Sequence, residues 1–123
     1  MAEPEIFYDE SGDTLYISFA PGEDGAGLDL NDHILLRVDR RNCRPIGITL
    51  ISYSLLVNRE GRPRSLPLYG LDELSPELQE LAVEILQSPP VSDYLTFTSP
   101  LPSGARALPN VTVNTDKLVA RAV

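Results

Sequence analysis

The sequence predicts an α+β fold, an antiparallel β-meander of four to five strands packed by one main helix at about residues 76–87. Three observations predict it. The run Phe7-Tyr8-Asp9-Glu10-Ser11-Gly12-Asp13-Thr14-Leu15-Tyr16-Ile17-Ser18-Phe19 is two aromatic and β-branched stretches around an acidic, glycine-bearing turn, which is hairpin chemistry. Period-two alternation returns in residues 33–39 and again in residues 45–52. After Ser75 the period changes to that of an amphipathic helix.

Taken in order, the first strand lies near Glu5–Tyr8 and the second near Thr14–Phe19. Residues 20–27, rich in Gly, Pro and acids, form a loop, and Leu28–Leu30 adds a short strand. The third main strand, His33–Asp39, puts Ile34, Leu36 and Val38 on one face and His33, Leu35, Arg37 and Asp39 on the other. Arg40-Arg41-Asn42-Cys43-Arg44 is a tight polar turn, and Pro45–Ser52 is the fourth strand, with Ile46, Ile48 and Leu50 as its apolar set. Val57–Leu68 is polar, arginine-bearing and punctuated by proline, which predicts a connecting loop. Ser75-Pro76-Glu77 then starts the helix with a hydroxyl cap, proline at the first helical position and an acid in the first turn. Leu78, Leu81, Ala82, Ile85 and Leu86 face inward as the lid of the sheet, with Glu77, Glu80 and Glu84 outward. Pro76 breaks the stripe from Leu71 and Leu74, and Ser88-Pro89-Pro90 ends the helix. Beyond it come a strand at Tyr94–Thr98, a turn at 100–104, a strand at Ala107–Val113 and a short terminal helix at Thr115–Ala122. The organisation is thus a sheet domain over residues 1–56 and an extension over 57–123 packed on the sheet to form one compact domain.

Composition excludes several classes. No run approaches the length of a membrane span. The opening Met1-Ala2-Glu3-Pro4-Glu5 has neither the basic nor the apolar segment of a secretion signal, so a cytoplasmic protein without membrane attachment is expected. One cysteine supports neither an internal disulfide nor a cysteine-rich zinc site. The net charge of −8 argues against a nucleic-acid binder that works by global charge. Charge is nevertheless blocked: residues 1–32 carry acids and no Lys or Arg, whereas residues 33–64 hold Arg37, Arg40, Arg41, Arg44, Arg59, Arg62 and Arg64 against Asp39 and Glu60. Such blocks either pair within the fold or meet a partner of opposite sign.

Residues Tyr8-Asp9-Glu10-Ser11-Gly12-Asp13-Thr14-Leu15-Tyr16-Ile17, the acidic loop after them, the strand ending Val38-Asp39, and Pro45-Ile46-Gly47-Ile48-Thr49-Leu50 resemble the bacterial family known as domain of unknown function 2283. The resemblance covers about residues 5–56, under half of the chain. The turn at 40–44 carries three arginines where members of that family tend to have an Asp/Asn-Gly turn. The resemblance implies a small β-sheet domain and a regulatory, antitoxin-like binding role. It brings no catalytic residue to carry over.

The individual candidate residues each have a structural reading beside the chemical one. Asp9, Glu10 and Asp13 could ligate a cation with Gly12 allowing the bend, but their order is not that of a calcium loop, and hairpin turns favour Asp and Gly for backbone reasons alone. Cys43 sits among arginines that would stabilise a thiolate, yet His33, the single histidine, lies at the opposite end of the same hairpin. His33 itself reads as a strand-end residue. The loop at 22–27 carries Glu23 and Asp24, which would repel a phosphate. Asn110-Val111-Thr112 matches a glycosylation acceptor that a cytoplasmic chain would not use. No catalytic, cofactor-binding or metal residue is therefore assigned. The arginines at 37, 40, 41, 44, 59, 62 and 64 are the candidate partner-binding group, with internal pairing to the acidic helix face as the structural alternative. The leading expectation is a non-enzymatic protein-binding or regulatory module that forms a homodimer through exposed sheet edges. A nucleic-acid-associated protein using the arginine segment and a thiol enzyme centred on Cys43 are the alternatives.

Overall fold

A computed structural model describes residues 4–56, 65–98 and 109–114. Its main element is a five-stranded antiparallel sheet of β1 (Glu5–Asp9), β2 (Thr14–Ser18), β3 (Ala26–Asp29), β4 (Ile34–Asp39) and β5 (Arg44–Ile51), in the order β1-β2-β5-β4-β3. Two hairpins, β1–β2 and β4–β5, meet where β2 pairs with β5, from Thr14 opposite Ile51 to Ser18 opposite Gly47. That junction needs glycine, because a Cβ at Gly47 would stand 2.8 Å from the Ile17 carbonyl oxygen. A bulge between Arg37 and Val38 accommodates an extra residue in β5 and leaves Ile46 on the core side.

The α+β prediction describes the structure, and the alternation assigned to β4 and β5 places Ile34, Leu36, Val38, Ile46, Ile48 and Leu50 in the core. Each fully buried Leu or Ile side chain contributes about 1.5–3 kcal/mol relative to exposure. Among the described residues no element covers the opposite face of this sheet, where Phe7, Tyr16 and Ile51 are exposed.

The remaining described residues cover the core face. After β5 comes a single helical turn, α1 (Tyr53–Leu56), which the sequence analysis did not anticipate. The connecting loop expected over 57–68 is corrected in part: Ser65–Pro67 is a strand, β6, and residues 57–64 lie outside the described residues. Tyr69–Glu73 forms a 3-10 turn, followed by α2 (Pro76–Leu86). As the start signal predicts, the Ser75 side chain accepts from the Leu78 amide (3.3 Å) with Pro76 in the first turn. A second 3-10 turn (Val91–Asp93), β7 (Leu95–Thr98) and β8 (Asn110–Val113) are the last elements among the described residues, with β6, β8 and β7 pairing as a small second sheet. The expected helix at 115–122 lies outside the described residues. Proline in β6 occupies the edge of that sheet, where its missing N–H costs no ladder bond.

One cluster of buried side chains includes Leu15, Ile34 and Leu50 of the large sheet together with Ala82, Ile85 and Leu86 of α2 and Val111 and Val113 of β8. Polar contacts hold the 3-10 turn and β6 against the β3–β4 turn of the large sheet, among them the Asp32 amide donating to the Tyr69 hydroxyl (2.9 Å). The Gly70 amide donates to the Leu30 carbonyl (2.8 Å), and a Cβ at this residue would stand 2.1 Å from the Asp29 carbonyl oxygen, so only glycine fits. Buried Asn31 accepts from the amides of His33 (2.8 Å) and Ile34 (2.9 Å) and donates through Nδ2 to the Pro67 carbonyl (3.0 Å). Its side chain is satisfied on both ends, as a buried amide must be.

Candidate interaction surface

Antiparallel pairing sends alternate side chains to the open face, and the register arranges them in rows across the strands. One row runs Phe7, Tyr16, Thr49, Leu35, Asp29. The next runs Glu5, Ser18, Gly47, Arg37, Gly27. Phe7 is 64% exposed and Tyr16 42%, and their rings stack with centroids 6.2 Å apart. Ile51, also 42% exposed, extends the apolar area beside Tyr16 and Thr49. Gly47 and Ser18 carry little or no side chain, which leaves a shallow depression of about 120 Å³ between Tyr16, Thr49 and Arg37. Apart from the Arg37 guanidinium, the Glu5 and Asp29 carboxylates at its margins and the Asp9 and Asp39 carboxylates at its two ends, the face is aromatic, aliphatic or hydroxylic between the strand ends.

The structure describes four of the seven arginines and gives them different surroundings. Arg37 stands half-buried on the open face. Arg40 and Arg41 are exposed in the turn between β4 and β5. Arg44 faces two carboxylates of its own chain, with Nε donating to Asp39 (3.2 Å) and both terminal nitrogens directed to Glu23. Glu23 first, and Asp39 after it, hold the Arg44 guanidinium above its ordinary pKa. The internal partners of Arg44 are therefore a loop acid and a strand acid, in place of the acidic helix face expected from the sequence. Arg59, Arg62 and Arg64 lie outside the described residues.

The acidic hairpin turn is occupied by its own backbone and neighbours. Asp9 accepts from the Ser11 amide (3.1 Å) and hydroxyl (2.8 Å). Asp13 accepts from the Tyr8 hydroxyl (2.7 Å) and from the Ser54 amide and hydroxyl, and its carbonyl takes the Tyr53 amide (2.8 Å). These bonds, the Ser54 hydroxyl foremost and then Tyr8, hold the Asp13 carboxyl below the ordinary carboxylate range. They raise the Tyr8 hydroxyl above its ordinary value in turn, first through Asp13. Asp13 thus anchors α1 to the hairpin.

Cys43 is exposed and adopts a left-handed backbone (φ 53°), with Sγ 3.9 Å from the Arg40 carbonyl oxygen. His33 precedes β4 at the far end of that hairpin, with Nδ1 3.0 Å from the Ile51 carbonyl oxygen. The pairing of Asp39 with Arg44 and of Ile34 with Leu50 keeps thiol and imidazole at opposite ends within one chain. The Asn110-Val111-Thr112 triplet lies in β8, the central strand of the small sheet, where Val111 is fully buried.

Sequence reasoning named the alternation of each strand but did not single out Phe7, Tyr16, Thr49 and Leu35 as a surface. The signal was present: a strand with apolar residues at both parities has no polar outer face. Among the described residues no helix is long and apolar enough to cross a membrane. Comparisons with protein-family models, with curated proteins and with solved structures return no match for this chain.

Proposed function

We propose that this chain is a protein-binding module, of the regulatory kind that its resemblance to the unknown-function family implies, and that it docks through the open face of the five-stranded sheet. The observation that carries this reading is the contiguous row Phe7, Tyr16, Thr49 and Leu35, headed by a stacked and exposed aromatic pair. Exposed aromatic side chains carry a cost in solubility and are enriched at the centres of protein interfaces. Arg37 sits within the face and Arg40 and Arg41 lie in the turn that follows its strand, so part of the arginine group borders the same surface.

The test is a double variant, Phe7→Asp with Tyr16→Ser. Association is measured in two ways, by sedimentation of the purified protein and by capture of host proteins from lysate, with thermal unfolding as the control for folding. Wild type is expected to associate and the folded double variant to lose that association. A wild-type chain that stays monomeric and captures nothing overturns the reading. So does a double variant that associates as wild type does.

A further inference from the structure

We infer that the occupant of this face is a second copy of the chain, docked sheet to sheet about a twofold axis that runs along the strands between β2 and β5. The inference rests on the binding reading above and names its partner. A symmetric dimer needs a patch that is complementary to itself, and the register of this sheet provides one.

With the strands in the order β1-β2-β5-β4-β3, that axis exchanges β2 with the partner's β5 and β1 with the partner's β4, and it preserves the rows. Phe7 then lies over the partner's Leu35, and Tyr16 over the partner's Thr49. In the neighbouring row Glu5 lies over the partner's Arg37. Each of these contacts occurs twice. Glu5 and Arg37 make no ion pair with other described residues, so both charges are available. Between them stand Ser18 and Gly47, whose small size lets two backbones approach at the usual sheet-stacking distance of about 10 Å. Stacked sheets keep their strand directions within about 30°, so the matching holds best near the axis, where Tyr16 and Thr49 lie.

Other axes do worse. An axis through β5 itself would exchange β2 with β4 and β1 with β3, setting Glu5 against the partner's Gly27, Arg37 against Ser18 and Phe7 against the Asp29 carboxylate. Of these two axes, the one between β2 and β5 pairs apolar with apolar and anion with cation. Four overlapping strands, each about 17 Å long, bury on the order of 1,000 Å² in total, at the low end for specific complexes, so self-association in the micromolar range is expected.

The experiment is sedimentation velocity across the micromolar range on wild type, Glu5→Arg, Arg37→Glu and the exchanged pair Glu5→Arg/Arg37→Glu. Each single variant should weaken dimerisation about tenfold or more, because like charges then face each other twice. The exchanged pair should return to within about threefold of wild type. Both side chains are at the surface, and thermal unfolding of each variant checks that the fold is kept. A dimer indifferent to all three variants overturns the inference and moves the contact elsewhere, for instance to the β1 edge. Wild type that stays monomeric yet captures a host protein through Phe7 and Tyr16 overturns the second-copy occupant and leaves the binding face standing. Wild type that is monomeric and captures nothing overturns both.

Discussion

The turn joining β1 to β2, Asp9-Glu10-Ser11-Gly12-Asp13-Thr14, and the turn joining β4 to β5, Asp39-Arg40-Arg41-Asn42-Cys43-Arg44, have the same length and the same backbone plan. In each, the last strand residue is an aspartate whose side chain accepts the amide two residues on, Ser11 in one and Arg41 in the other. In each, the residue before the next strand is left-handed, Asp13 at φ 49° and Cys43 at φ 53°. They lie at opposite ends of the sheet, and there the likeness stops. Asp13 uses its carboxylate to bind Tyr8 and the start of α1. Cys43 presents a thiol to solvent among arginines. One backbone solution therefore serves as an internal anchor at one end and as an exposed cationic loop at the other, and the side chain at the left-handed position decides which.

The same substitution at the two equivalent residues should act with opposite signs. Asp13→Gly keeps the left-handed backbone but removes the acceptor of Tyr8 and Ser54, and a loss of about 1.5 kcal/mol in chemical denaturation is expected. Cys43→Gly relieves an L-residue from the left-handed region with no bond of consequence lost. A gain of about 0.5–1 kcal/mol should follow, reduced by the extra freedom of glycine in the unfolded chain. If both variants destabilise alike, the two turns are not equivalent.

Acid should sharpen the contrast. Asp13 and Asp39 are both held below the ordinary carboxylate range, Asp39 chiefly by the Asn42 side chain and also by the Arg41 amide and the Arg44 guanidinium. A depressed folded pKa means that the stabilisation is complete above the unfolded value of about 3.9 and is lost as pH falls through the folded one. Stability measured from pH 5 downward should therefore fall less steeply in Asp13→Gly than in wild type. At the alkaline end the raised Tyr8 hydroxyl has the opposite sign: its contribution is whole below about pH 10 and disappears as pH rises beyond that. Tyr8→Phe, which deletes one of the bonds to Asp13, should cost less than Asp13→Gly and should lose that alkaline inflection. The smallest effect belongs to the exposed turn. Replacing Arg40 and Arg41 by Ala should leave stability within about 0.5 kcal/mol of wild type.

The turns also show how far local sequence carries. Hairpin 7–19 is legible because Asp, Gly and alternating aromatic and β-branched residues are local signals with local causes. The 40–44 turn is legible as a turn, but Cys43 is not a residue that announces a left-handed backbone. The function of Asp13 was invisible, because Ser54 lies forty-one residues away in the chain. For the same reason the arginine group was drawn as one constellation, whereas Glu23, twenty-one residues before Arg44, engages that guanidinium.

What the sequence determined by itself is the inventory: the alternation of β1, β2, β4 and β5, the capped start of α2 at Ser75 and Pro76, and the polarity of each turn. These follow from backbone geometry and side-chain period, which act over a few residues. The tertiary structure alone decided that β2 lies beside β5, that Gly70 and Asn31 clasp the second half to the β3–β4 turn, and that one apolar side of the sheet is covered while Phe7, Tyr16 and Leu35 stay outside. Those outcomes depend on which long loops close and which faces can be buried together, a property of the whole chain that no short window contains.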